Sequence, residues 1–253
     1  MIKKERLQYA LVTGATSGIG KQIAVELTKK GYKVIACGRD LNALLQLNAT
    51  YGMQLYPCDL SNKESVYALC KDVSDKNVTV VVNSAGVGFL EHFDKISDEC
   101  DDMTVKLNIT ACQIITKFFA RNMKKGVILN VCSSAAFSPE PLMASYASSK
   151  AYIYSYSRAI DYELKMRKKP VRVCVLCPGG VDTPFNKKAG YKDSINGMSA
   201  ERCAKIAVDG ILKGKSVIIP DMRSRVLAPV SRITPESIVL KIQYEFQKRK
   251  FPL

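Results

Sequence analysis

The chain of 253 residues has a single histidine, His92. A serine–histidine–acid hydrolase needs an imidazole base beside its nucleophile, and the segment Glu91-His92-Phe93-Asp94 reads as a loop or helix entry carrying a surface histidine. Long apolar runs are missing as well, and no stretch approaches the roughly 18 residues of a membrane-spanning helix. The charged start, Met1 to Arg6, has no apolar stretch behind it, so the expectation is a chain without a secretory signal that stays in the cytoplasm. No internal repeat, low-complexity tract or second-domain linker is visible. Acidic residues are few: 23 against 38 Lys and Arg, a formal net charge of +15. The excess is spread along the chain, with short clusters at Arg167-Lys168-Lys169 and Lys248-Arg249-Lys250, and no nucleic-acid module accompanies it. A solvated basic surface is the plain reading, with attraction of an anionic substrate or lipid surface beside it.

Nine cysteines are present, an odd number scattered through predicted strands and helices. That distribution suits reduced, buried thiols better than a disulfide framework. Cys174 and Cys177 fall in an apolar strand, where residues three apart point to opposite faces, so they are poorly placed to share a metal. No metal is expected.

Apolar, β-branched runs alternate with helix-length segments. Strands are predicted at Tyr9 to Thr13, Lys33 to Cys37, Gln54 to Tyr56, Val78 to Val82, Val127 to Val131, Val171 to Leu176 and Ser216 to Ile219. Helices are predicted near 18–30, 41–49, 62–73, 98–123, 145–167 and 199–213. Strands apolar on both faces belong between two helix layers. The fold class is therefore α/β, a single Rossmann-type doubly wound domain whose seven-stranded parallel sheet carries helices on both faces. Residues 1–233 form that domain. Residues 234–253 form a basic amphipathic extension, with Thr234 as cap, Pro235 in the first turn and Val239, Ile242 and Phe246 at helical spacing.

The first strand runs directly into Thr13-Gly14-Ala15-Thr16-Ser17-Gly18-Ile19-Gly20. Glycines at 14, 18 and 20 let the backbone turn tightly and approach a pyrophosphate, which the N–H groups and dipole of the next helix attract. The second strand leads into Cys37-Gly38-Arg39-Asp40. An acidic side chain at this point would accept ribose hydroxyls, whereas Arg39 can pair with a 2′-phosphate, so NADP(H) is preferred over NAD(H), with Asp40 read as a helix cap. Tyr146 and Lys150 lie four apart in a predicted helix, on one face. An ammonium group beside a phenol stabilises the phenolate, and the expectation is a Tyr146 pKa lowered by ~1–3 units.

With these motifs in this order, the chain resembles the compact branch of the short-chain dehydrogenase/reductase family over essentially its whole length. The loop with Gly14, Thr16, Ser17, Gly18, Ile19 and Gly20 resembles that family's cofactor loop, and Asp59-Leu60 its adenine-side acidic pair. Asn83-Ser84-Ala85-Gly86 resembles its Asn-Asn-Ala-Gly element, with Ser84 departing from the usual asparagine. Pro178-Gly179 through Val181 to Thr183 resembles the loop around the nicotinamide. Asn108, Ser133, Tyr146 and Lys150 match the catalytic asparagine, serine and Tyr-x-x-x-Lys pair, with Ser134 as the serine that the spacing passes over. The resemblance implies hydride transfer between nicotinamide and a carbonyl or secondary alcohol, Tyr146 serving as acid or base and Ser133 orienting the oxygen. Lys150 would also hold the nicotinamide ribose, and Asn108 would anchor a water. A homo-oligomer, dimer or tetramer, is implied too.

Thr183 to Lys192, after the sixth strand, is expected to form a mobile lid whose lysines attract acidic substrates, with Phe185, Tyr191 and Met143 lining an apolar pocket. Lipid-like or acyl ketones are the favoured substrates. The basic extension could lie on an anionic membrane surface or pack on its own domain or a partner. A non-catalytic nucleotide-binding or membrane-associated interaction protein on the same fold stands as the alternative. A sugar-nucleotide epimerase fits the glycine spacing and the length less well.

Overall fold

The structure is a computed structural model that describes residues 7–192 and 197–250. The charged segment from Met1 to Arg6 and the last three residues of the extension lie outside the described residues. In chain order the elements are β1 (Tyr9–Thr13), α1 (Gly18–Lys29), β2 (Lys33–Gly38), α2 (Leu41–Tyr51), β3 (Gln54–Pro57), α3 (Lys63–Asp72) and β4 (Val78–Asn83). Then follow α4 (Asp98–Thr104), a π-helical stretch Val105–Ala111, α5 (Cys112–Asn122), β5 (Gly126–Val131), a 3₁₀ turn Ser134–Phe137, α6 (Ala144–Met166) and β6 (Val171–Leu176). The chain closes with β7 (Val181–Asp182), α7 (Pro184–Lys188), β8 (Met198–Ser199), α8 (Ala200–Leu212), β9 (Val217–Ile218), α9 (Met222–Ile233) and α10 (Glu236–Lys248).

Seven strands form one parallel sheet in the order β3-β2-β1-β4-β5-β6-β9, and β7 and β8 pair apart from it. The order reverses between β1 and β4, where doubly wound sheets open a crevice beyond their carboxyl ends. Alternation of side chains explains the continuous apolar runs. Ala10, Val12, Val34, Ala36, Val80, Val82 and Cys174 pack under α1 and α8. Leu11, Ile35, Val81, Ile128 and Val173 face the other way, against α3, α5 and α6. Cys174 and Cys177 enter different clusters, as their spacing requires. All nine cysteines are free and seven are buried.

Local chemistry sets the helix ends. The Asp40 carboxylate accepts from the Ala43 amide at 3.0 Å and caps α2, and Asn62 caps α3 in the same way. Three segments differ from the sequence expectation. The helix predicted over 98–123 is interrupted by the π turn that carries Asn108, a feature that periodicity alone cannot reveal. Thr234 ends α9, its hydroxyl donating to the Val230 carbonyl at 2.8 Å, so α10 begins one residue beyond Pro235 rather than under a threonine cap. The segment after β7, expected as a mobile lid, carries the helical turn α7, in which Asn186 donates to the Val181 carbonyl at 3.0 Å. His92 is partly exposed in the loop before α4. No described helix is long and apolar enough to cross a membrane.

Candidate active site

A cleft of about 870 Å³ opens at the carboxyl ends of β1, β2, β4, β5 and β6. Gly14 leaves β1 at φ +64°, a left-handed conformation, and a Cβ there would lie 2.8 Å from the Ala85 amide nitrogen. Thr13 completes this junction by donating its hydroxyl to the Val82 carbonyl at 3.3 Å and accepting from the Ser84 amide at 3.1 Å. The α1 amino terminus follows with no side-chain cap, which leaves its amides turned toward the cleft. A Cβ on Gly18 would sit 3.2 Å from the Thr183 methyl, so the loop after β1 and the loop after β6 face each other at contact distance. At the end of β2, exposed Arg39 stands beside Gly38 at the cleft wall, while the Asp40 carboxylate is occupied with capping. Asp59 accepts from the Ser61 amide at 3.0 Å and hydroxyl at 2.8 Å; these bonds, with Arg39 nearby, hold its carboxyl below the usual range despite partial burial.

Deeper in the cleft lie Ser133, Tyr146 and Lys150. Ser133 is placed by β5 and caps the 3₁₀ turn, accepting from the Ala135 amide at 3.1 Å. Tyr146 and Lys150 project from the same face of α6. The Lys150 ammonium donates to the Val131 carbonyl at 3.1 Å and lies 5.5 Å from the Tyr146 ring centre. Burial pushes the Tyr146 phenol well above its ordinary value, opposed by a hydrogen bond with Ser133, and burial lowers the Lys150 amine. The expected depression of the Tyr146 pKa is therefore reversed. Loss of water around each group is the largest cause of its shift, and it favours the neutral phenol. Gly88 makes room for this arrangement, since a Cβ there would approach Tyr146 Cδ2 to 2.7 Å and Phe185 Cζ to 2.8 Å.

Two residues expected at the site face elsewhere. Asn83 is buried behind the crevice, donating to Asn130 Oδ1 at 2.8 Å and Thr116 Oγ1 at 3.1 Å, and it joins β4 to β5 and α5 rather than lining the cleft. Asn108 uses the π turn to bond the Val87 backbone twice, accepting from its amide at 2.9 Å and donating to its carbonyl at 2.8 Å, and it donates to Ser149 at 3.0 Å. It pins the loop after β4 beside Gly86, where a Cβ would meet Asn108 Oδ1 at 3.0 Å and Lys150 Nζ at 3.5 Å. The remaining predicted residues, Ala85, Gly86, Leu60, Pro178, Gly179 and Val181 among them, line the cleft.

The outer half of the cleft is apolar, walled by Phe185 and Tyr191 and by Leu227, Val239, Ile242 and Phe246 from α9 and α10. Phe185 packs on Tyr146 with ring centres 5.4 Å apart. Met143 lies behind this wall, its sulfur accepting from the Tyr191 hydroxyl at 3.0 Å, so it supports the pocket instead of lining it. The sequence reading missed α9 and its contribution. Asp221 caps that helix, bonding the Ser224 amide at 2.7 Å, and also takes the Gly179 amide at 3.0 Å, which fixes α9 to the loop after β6. Glu140 and Lys250 at the pocket rim were missed too, because nothing local marks two charges 110 positions apart as neighbours.

Known proteins with the same features were found. The family model described as short chain dehydrogenase matches residues 8–194. The 17-beta-hydroxysteroid dehydrogenase type 3 of Mus musculus is 32% identical over 198 residues, covering 73% of this chain and 64% of the relative. The short-chain dehydrogenase from Sphingobium yanoikuyae in complex with NADPH superposes with a TM-score of 0.79 at 23% identity, covering 89% of this chain and 94% of that one. A short chain dehydrogenase/reductase from Burkholderia phymatum in complex with NAD also gives 0.79, at 20% identity, over 96% and 97% of the two chains. By the family match along most of its length, together with this sheet and this cleft, the chain belongs to the short-chain dehydrogenase/reductase family of oxidoreductases.

Proposed function

We propose that the protein is an NADP(H)-dependent oxidoreductase that interconverts a carbonyl and a secondary alcohol, with Tyr146 as general acid and base. The observation that carries this reading is the single cleft in which an uncapped helix amino terminus and a glycine turn meet partly buried Tyr146 and Ser133 and buried Lys150. The residues fit a dinucleotide. Gly14 and Gly20 keep side chains away from the turn, since a Cβ on Gly20 would collide with the Gly14 carbonyl, and exposed Arg39 is free to meet a 2′-phosphate. A bound nicotinamide supplies or accepts the hydride. Tyr146 then gives its phenolic proton to the carbonyl oxygen, and the Ser133 hydroxyl orients that oxygen and stabilises the phenolate left behind. Lys150 offsets the negative charge on Tyr146 and reaches for the ribose, while Asn108 holds the Val87 backbone and the neighbouring loop in place.

Fluorescence titration tests the cofactor choice. NADPH is expected to bind at least about 10-fold more tightly than NADH, and Arg39→Ala to remove that margin, as the loss of a charge-assisted bond implies. Failure of the folded protein to bind either nucleotide would sink the dehydrogenase reading and favour a membrane-associated interaction protein on the same fold.

For substrate, the apolar outer pocket and the steroid dehydrogenase relative support a lipid-like or acyl ketone. We also read α10 as a peripheral lipid contact. It buries Val239 and Gln247 against the domain but leaves Ile238 at 49% exposure, with Ile233 at 84% just before it and Lys241, Lys248 and Arg249 exposed around them. The pair Ile233→Ser and Ile238→Ser is expected to reduce co-sedimentation with phosphatidylserine-containing vesicles at least about threefold, from the lost apolar insertion. Unchanged sedimentation would end that idea. The free cysteines support a reducing, cytoplasmic setting, and the family resemblance supports a homo-oligomer.

A further inference from the structure

At the mouth of the pocket Phe246 is flanked by two cations. The Lys250 ammonium lies 3.8 Å from its ring centre and the Arg223 guanidinium 5.3 Å from it. Lys250 also stands 5.2 Å from the Tyr191 ring centre, so it overlooks the apolar wall that begins at Tyr146. Among the described residues no carboxylate comes within ion-pairing distance of either cation. The nearest compensating charge is Glu140, reached through Gln247: Lys250 donates to the Gln247 side-chain oxygen at 3.3 Å, and the Gln247 amide donates to Glu140 at 2.9 Å. Asp221, the other acid of this wall, is held by the Gly179 and Ser224 amides.

Two cations that enter no ion pair therefore stand together at the outer end of an apolar channel. Repulsion from Arg223 adds to burial in lowering the Lys250 amine to about 8, while Glu140 pulls it up. An anion bound at this mouth would offset that repulsion. The arrangement is held in place by the Lys192 backbone amide, which donates to the Lys250 carbonyl at 3.0 Å, and by the Gln243 side-chain amide, which donates to the Ser138 hydroxyl at 3.0 Å.

We propose that Arg223 and Lys250 bind a single carboxylate at the far end of an apolar ketone substrate, so that the pocket selects keto acids over neutral ketones. The inference rests on the oxidoreductase reading for the word ketone, but the binding site itself does not need turnover. Calorimetric titration with decanoate, decanol and decyl phosphate therefore tests it independently of nucleotide binding. Decanoate is expected to bind at least about 10-fold more tightly than decanol, the size of one charge-assisted contact. In Arg223→Gln and Lys250→Gln that preference should fall to within about threefold, with decanol affinity, melting temperature and NADPH affinity unchanged.

Equal binding of decanoate and decanol by the wild type overturns the proposal, as does a preference that survives both substitutions. Loss of NADPH binding in either variant would assign these cations to the nucleotide and overturn it as well. Decyl phosphate outbinding decanoate tenfold would replace the carboxylate by a phosphate ester and overturn the single-charge assignment.

Discussion

Tyr146→Phe is expected to lower the turnover of ketone reduction by about 10²–10⁴-fold while NADPH affinity stays within about twofold of wild type. The substitution keeps the ring that packs on Phe185 at 5.4 Å and removes only the hydroxyl that bonds Ser133. Binding and chemistry thus separate in one variant. Because burial holds the phenol above its ordinary pKa, the proton-donating form persists through neutral pH. The reductive rate of the wild type should be flat from about pH 6 to 8 and decline only as the solution becomes alkaline, whereas alcohol oxidation, which needs the phenolate, should rise with pH. Steady-state rates in both directions across that range, beside a fluorescence titration with NADPH, check both parts. Full turnover in Tyr146→Phe would remove the residue from proton transfer.

Much of the fold was readable because each central strand is buried on both faces. Residues such as Val80, Val81 and Val82 enter opposite helix layers in turn, and a run of that kind has few other places to go. The glycine loop was readable for a related reason: Gly14 and Gly20 are constrained by backbone atoms of the fold itself, so their spacing carries information. Asn83 shows where motif position stops being a guide. It lies one residue before the cleft, and alternation along β4 turns its side chain inward to Thr116 and Asn130. Asn108 is similar, since its place depends on a π turn that leaves no mark in hydrophobic periodicity. The outer pocket was least legible. Glu140, Arg223 and Lys250 meet only because Asp221 ties α9 to Gly179 and Gln247 ties α10 to Glu140, and such long-range polar contacts have no local signature. The reversed pKa of Tyr146 has the same origin. Sequence shows an amine four residues away, but the loss of water around each group decides the sign.

That loss of water leads to the second large effect, at Lys150. The residue is 7% exposed, and its amine is shifted down by burial, with nearby Cys132, Cys112 and Cys177 acting the other way. A lysine whose folded pKa lies below its unfolded value binds fewer protons when folded, so keeping it protonated opposes folding at neutral pH and this cost disappears only as pH rises past the unfolded value. Lys150→Met keeps the apolar stem and removes the ammonium. It also gives up the 3.1 Å bond to Val131, worth about 1 kcal/mol, but an ammonium in this setting costs several kcal/mol to desolvate. The balance favours the variant by about 1 kcal/mol or more, or roughly 2–4 °C in melting temperature for a domain of this size. Turnover should nevertheless fall by about 10²–10⁴-fold, because the charge that offsets the Tyr146 phenolate is gone. Thermal melts at pH 7 and at pH 10 and steady-state rates test the two halves together: the gain in melting temperature should shrink at the higher pH, because the lowered pKa lets the folded wild type shed the lysine proton before the unfolded chain does. A variant that is both less stable and inactive would make Lys150 a structural residue, and the opposed signs are what separate a group retained for chemistry from one retained for the fold.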